Sequence, residues 1–107
     1  MRYLFLLNPT AGKRDCTAEL APAIQAAAQR AGIPPEKRKV VVTQYAGHAR
    51  ELAAEAAHTA QADGEPVRIW TAGGDGTFNE ALTGAQGCGL AAVGCLPFGS
   101  GNDFLRT

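Results

Sequence analysis

The stretch RYLFLL, Arg2 to Leu7, is a nearly unbroken apolar run closed by the turn pair Asn8-Pro9. An apolar run without alternation marks a strand buried on both faces, and such a strand belongs in a parallel sheet with helices packed on either side. The rest of the chain fits that demand. Leu20, Ile24, Ala27, Ala28 and Ala31 fall at helical spacing and stop at Gly32, in the position of a C-cap. Pro22 implies that this helix starts or kinks nearby. PPEKRK then turns the chain into VVVT, Val40 to Thr43, a short β-branched strand. A second helix is predicted from His48 to Ala62, with Leu52, Ala53, Ala56 and Ala60 on one face, and DGEP punctuates it. VRIWT, Val67 to Thr71, is the third strand. A short helix follows at roughly Phe78 to Thr83, and LAAVGCLP, Leu90 to Pro97, is the fourth strand. The predicted fold class is therefore α/β, a parallel β-sheet sandwiched by helices. The many alanines predict close packing of helix on sheet.

With 107 residues, 46% hydrophobic and 19% charged, the chain has the balance of one soluble domain over residues 1–107. Its ten basic and ten acidic residues cancel, so no net field draws it to nucleic acid or to an anionic surface. Cys16, Cys88 and Cys95 show no C-x-x-C spacing and fit reduced thiols of a cytoplasmic protein. The apolar opening is too short for a signal peptide or a membrane span. The last residues, GSGNDFLRT, read as the cap of a helix barely begun, and the chain is expected to be a fragment of a longer protein.

Right-handed crossovers place every strand-to-helix loop on the carboxyl edge of the sheet, where ligands of such sheets bind. Four loops meet there: NPTAGK, TQYAGH, AGGDGTFN and PFGSGND. They hold Gly12, Gly47, Gly73, Gly74, Gly76, Gly99 and Gly101, more than half of the 13 glycines, which suits close approach of backbone to phosphate better than turn-making alone. The familiar phosphate motifs fail. Walker A would need a glycine where Leu7 stands and Ser or Thr where Arg14 stands. The cluster Gly73-Gly74-Asp75-Gly76 is not the G-x-G-x-x-G of dinucleotide folds either.

Asp75 is the odd residue among these glycines. A carboxylate beside phosphates needs a cation between them, or it must turn toward sugar hydroxyls, and both routes lead to a nucleotide. On this reading Asp75 holds Mg²⁺, glycine amides and a helix N-terminus face the phosphates, and Thr77 and Asn79 add neutral hydrogen-bonding groups. The plain alternative is a turn aspartate accepting its own backbone amides. Lys13 and Arg14 read either as phosphate contacts or as solvated loop cations, and Lys37-Arg38-Lys39 either as a solvated turn or as a contact to anionic lipid head groups.

NPTAGK, TQYAGHARELA, GGDGTFNE and PFGSGNDF, in this order, resemble the motif set of the diacylglycerol kinase catalytic domain, shared with sphingosine, ceramide and bacterial lipid kinases. The resemblance spans essentially the whole chain. It implies a fold like the N-terminal domain of NAD kinase and phosphofructokinase, followed in the family by a β-sandwich domain missing from this chain. It implies transfer of the γ-phosphoryl group of ATP to a lipid hydroxyl with Mg²⁺, at a membrane surface met peripherally from the cytoplasm. Carried over by position, the ATP-contacting residues are Asn8, Gly12, Thr43, Gly73, Gly74, Asp75, Gly76, Thr77, Asn79 and Ser100, with Asp75 as catalytic and metal residue. Ser100 stands where relatives commonly carry threonine, which keeps the hydroxyl. The resemblance puts the acceptor-activating acid in the second domain, so neither Glu80 nor Asp103 is nominated as general base; Glu80 reads as a helix-face residue or a helper to the metal. Two rival readings are an NAD kinase-like enzyme and a catalytically inactive nucleotide-binding module. The lipid substrate and the oligomeric state are not legible.

Overall fold

The computed structural model describes residues 1–8, 17–72 and 74–95. Four strands, β1 (Arg2–Leu7), β2 (Arg38–Val42), β3 (Val67–Ala72) and β4 (Ala91–Cys95), form one sheet in the order β2-β1-β3-β4 with every pairing parallel. Between them run α1 (Thr17–Arg30), α2 (His48–Asp63) and α3 (Gly74–Ala85), and a single 3₁₀ turn, Pro35–Lys37, precedes β2. β1 is central, as its composition requires, and its side chains divide by parity. Leu4 and Leu6 pack with Val67, Ile69 and the alanines of α2 and α3, whereas Phe5 and Leu7 pack with Ile24 and Ala27 of α1. Phe5, Leu6 and Ile69 have no exposed surface. Helices therefore cover both faces, as the sandwich requires.

Alanine makes close approach possible. Ala49, Ala53, Ala57 and Ala60 form the buried face of α2, while Ala81 and Ala85 do the same for α3. The two helices lie side by side in parallel. Glu80 meets Gly47, Gly84 lies against Arg50 and Ala54, and Cys88 just beyond α3 donates from Sγ to the Ala57 carbonyl at 3.4 Å. These contacts recur at a spacing of four along α3, the repeat of one helix face. A Cβ on Gly84 would stand 2.2 Å from the Arg50 carbonyl oxygen, so glycine there is a condition of the contact. Trp70 on the α1 face of β3 lies over Gly94 of β4, where a Cβ would come within 2.6 Å of the indole.

Several boundaries differ from those expected. α1 begins before Pro22 and carries it in the second turn, where one backbone hydrogen bond is lost without ending the helix. Gly32 does end the segment in the left-handed region, at φ 83°. β2 begins at Arg38 because the parallel ladder with β1 starts at the pair Tyr3 and Arg38. Of the basic run, Lys37 closes the 3₁₀ turn, Arg38 and Lys39 open the strand, and Lys39 is exposed. Lys37 pairs with Glu65 at 2.7 Å, and Arg38 donates to Gln25 and to the Ile33 carbonyl. With Arg2 pairing to Asp63 at 2.6 Å and to Glu65 at 3.0 Å, these charges fasten the amino-terminal edge of the sheet. α3 begins at Gly74, four residues before the expected start at Phe78. The loop expected over Gly74 to Thr77 rests on the poor helix propensity of glycine and aspartate, which make up three of these four residues. In a first turn the amides have no intrahelical partner, and that penalty counts for less.

Candidate functional site

The chain moves from β1 outward to β2 and returns across β1 to β3. The carboxyl ends of β1 and β3 therefore flank the point where strand order reverses, and a crevice opens outside such a point. The strand ends are held level: the Asn8 amide donates to the Ala72 carbonyl at 2.9 Å, and the Thr43 amide to the Leu7 carbonyl at 2.7 Å. Three of the loops expected to converge, those after β1, β2 and β3, begin side by side on this edge.

The side chains follow. Asn8 donates from Nδ2 to Thr77 Oγ1 at 3.1 Å, which joins the end of β1 to the first turn of α3 across the reversal. Thr77 is buried at 4% exposure, and Asn8 is half-buried. Thr43 is buried as well, and its hydroxyl donates to the Leu7 carbonyl at 3.3 Å. Asn8, Thr43 and Thr77 are thus brought together. Asn79, two residues past Thr77 and so about 200° further around the helix, is exposed on another flank, where it lines a groove with Leu82 and Val93. Gly12, Gly73 and Ser100 lie outside the described residues, as do Lys13, Arg14 and Asp103. Gly74 and Asp75 occupy the first turn of α3, and the Asp75 side chain is outside the description.

That first turn has the electrostatics expected of it. The amides of a first turn have no intrahelical partner, and with the positive end of the helix dipole they make a setting that favours an anion. Gly76 is informative because it has an ordinary φ and no described atom within 4 Å of where its Cβ would be. Neither backbone conformation nor packing among the described residues requires glycine at that place. Alanine would favour a helix by up to about 1 kcal/mol. The missing methyl leaves open space above the turn that carries Thr77.

One feature was not visible in the sequence. Glu80 reaches back from α3 and accepts the Gly47 amide at 3.2 Å, half-buried, at the start of α2. Its role as a link between two loops has no local signature, because the partner lies 33 positions away. Close by, Tyr45 stacks on His48 with ring centres 4.4 Å apart, and the Gln44 amide donates to His48 Nδ1 at 3.0 Å. The Tyr45 hydroxyl is bonded to Glu51, which pushes its pKa up. The loop after β2 is therefore internally braced before any ligand arrives.

Comparison with known proteins agrees with this arrangement. A sphingoid long-chain bases kinase of Arabidopsis thaliana is 34% identical over 99% of this chain and 14% of its own length. A diacylglycerol kinase of Staphylococcus carnosus is 33% identical over 98% of this chain and 32% of its own. A crystal structure from Bacillus anthracis, ascribed to a diacylglycerol kinase, superposes with a TM-score of 0.64 at 26% identity, over 98% of this chain and 33% of that one. The chain thus spans a third or less of the relatives it matches. The sequence pattern of the diacylglycerol kinase catalytic domain covers residues 2–107, and the chain belongs to that family.

Proposed function

We propose that this chain supplies the nucleotide-binding wall of a lipid kinase. It holds Mg·ATP at the carboxyl edge of its sheet so that the γ-phosphoryl group passes to a lipid hydroxyl, that of diacylglycerol or a related lipid alcohol, within a longer two-domain protein. The relatives named as sphingoid-base and diacylglycerol kinases support the reaction class. The observation that carries the nucleotide is Gly76, a glycine in the first turn of a helix at the topological switch point, kept where the described fold has room for a methyl group. The donor set fits the cofactor: amide dipoles suit phosphate, and the Asp75 carboxylate suits a hard divalent cation. Mg²⁺, when bound, neutralises phosphate charge. The chain's own residues orient the phosphates: Gly74 to Gly76 offer amides in the first turn of α3, and Thr77 and Asn8 tie that turn to the end of β1, while Gly12, Gly73 and Ser100 are further contacts by position in the motifs alone. Phosphoryl transfer depends chiefly on such positioning and charge stabilisation.

The nucleotide meets one wall here, so its affinity is expected near millimolar, about −4 kcal/mol. NMR titration of the chain with Mg·ATP tests the reading. Gly76→Ala should keep the parent's fold and weaken binding about ten-fold, because the added methyl occupies the path of the phosphate. Equal affinities for parent and variant would overturn the proposal.

A further inference from the structure

From the way α3 is pinned we infer that Glu80 is a positioning residue, holding the loop after β2 in register with the first turn of α3 so that both face one nucleotide. The inference rests on the nucleotide reading proposed above. α3 carries Thr77 and Glu80 one turn apart, and each is tied to a different neighbouring loop: Thr77 to Asn8 at 3.1 Å and Glu80 to Gly47 at 3.2 Å. A single helix therefore fixes the end of β1 and the loop after β2 relative to its own N-terminus.

Gly47 is the element that needs holding. It sits at φ 89°, a left-handed conformation that glycine adopts freely, and as N-cap of α2 it has no side chain to close the helix start. Its carbonyl accepts the Glu51 amide at 3.2 Å, within the helix. Its amide points out of the helix and is taken by Glu80. The carboxylate so placed also faces the positive end of the α2 dipole. Glu80 thus does from a neighbouring helix what the acid of a capping box does from within one, accepting the amide of the N-cap residue. Four residues after Thr43 the chain turns on this glycine, and although the loop is braced within itself by the Gln44–His48 bond, it is Glu80 that ties it to α3. The bond from the Gly47 amide to a Glu80 oxygen ties this turn to α3 across 33 positions of chain.

This role differs from that of a metal helper or a general base, because it needs an acceptor oxygen at a set reach and not a negative charge. Glu80→Gln keeps the oxygen and the reach. Glu80→Asp keeps the charge and withdraws the oxygen by one methylene, about 1.5 Å, beyond hydrogen-bond distance of the Gly47 amide. The test measures Mg·ATP affinity by NMR titration, its Mg²⁺ dependence, and hydrogen exchange at the Gly47 amide for the parent and both variants. The expected result is that Glu80→Asp binds about ten-fold more weakly and exchanges faster at Gly47, while Glu80→Gln stays within about three-fold of the parent in affinity with an unchanged Mg²⁺ dependence. Helix content by circular dichroism should be the same in all three. A Glu80→Asp variant that binds like the parent overturns the inference alone. So does a Glu80→Gln variant that loses affinity or shifts its Mg²⁺ dependence, which would return Glu80 to the metal. A parent that binds no Mg·ATP overturns the nucleotide reading, and the inference falls with it.

Discussion

Gly84→Ala should be among the most damaging single-methyl changes in this chain, although on an exposed helix the same change is stabilising. The new Cβ would stand 2.2 Å from the Arg50 carbonyl oxygen and 3.0 Å from the Ala54 nitrogen, both backbone atoms that no rotamer change can remove. An ordinary carbon-to-oxygen contact is about 3.3 Å or longer, so α2 and α3 must part by roughly 1 Å. Separation on that scale forfeits a quarter to a half of each dispersion contact along the alanine seam, which includes Ala49, Ala53, Ala57, Ala81 and Ala85. It also stretches the Glu80–Gly47 bond, now 3.2 Å, and the Cys88–Ala57 bond, now 3.4 Å. Overpacking of this sort costs about 1–3 kcal/mol, and the loosened hydrogen bonds add about 1 kcal/mol. Helix propensity returns up to about 1 kcal/mol. The net loss is about 2 kcal/mol, which for a domain of this size lowers Tm by about 8–16 °C. Gly76→Ala serves as the internal control: no described atom lies within 4 Å of its Cβ, and its Tm should hold or rise slightly. Thermal unfolding followed by circular dichroism at 222 nm, together with urea midpoints, measures both. A Gly84→Ala variant as stable as the parent would refute the close-approach argument, and with it the helix pairing that places Glu80.

Asp75→Asn, made in a longer protein that carries this domain, should reduce kinase activity about 10²-fold or more with the fold intact, since charge is lost without a change of volume; activity within a few-fold of the parent would remove the Mg²⁺ role. Thr77→Val should destabilise the chain by about 1 kcal/mol in urea unfolding, because the buried Thr77 hydroxyl no longer accepts from the half-buried Asn8 Nδ2. The Lys37 ammonium, with the amino group of Met1, holds the Glu65 carboxyl at about 2, below its ordinary value. That contribution is present above the ordinary carboxylate range and fades as pH falls from about 4.5 toward 2, so Glu65→Gln should flatten the pH dependence of Tm in that window. Gly94→Ala should displace the indole of Trp70, the single tryptophan, and shift its emission; unchanged fluorescence would contradict their contact.

Much of the architecture was legible because it rests on local rules. RYLFLL could only be a strand covered on both faces, and the alternation of apolar runs with alanine-rich helical segments prescribed a parallel sheet with crossovers. The converging loops followed from handedness alone. Motif order carried the family. What the sequence could not show is how elements distant along the chain meet. The start of α3 differs from the expected one because Gly74 to Gly76 have poor intrinsic propensity, and the Asn8–Thr77 bond that ties this turn to the end of β1 spans 69 positions. The basic run at Lys37 to Lys39 read as solvated until the ladder with β1 drew Arg38 and Lys39 into a strand and Glu65 took Lys37. Gly84 lies just past the helix expected from the sequence, and Glu80 reads there as a helix-face residue or a helper to the metal. Their roles exist only against Arg50 and Gly47 on another helix. Periodicity and turn chemistry act within a few residues and are written in the chain. Steric closeness and long-range hydrogen bonds belong to pairs of segments, and only the tertiary structure decides which pairs meet.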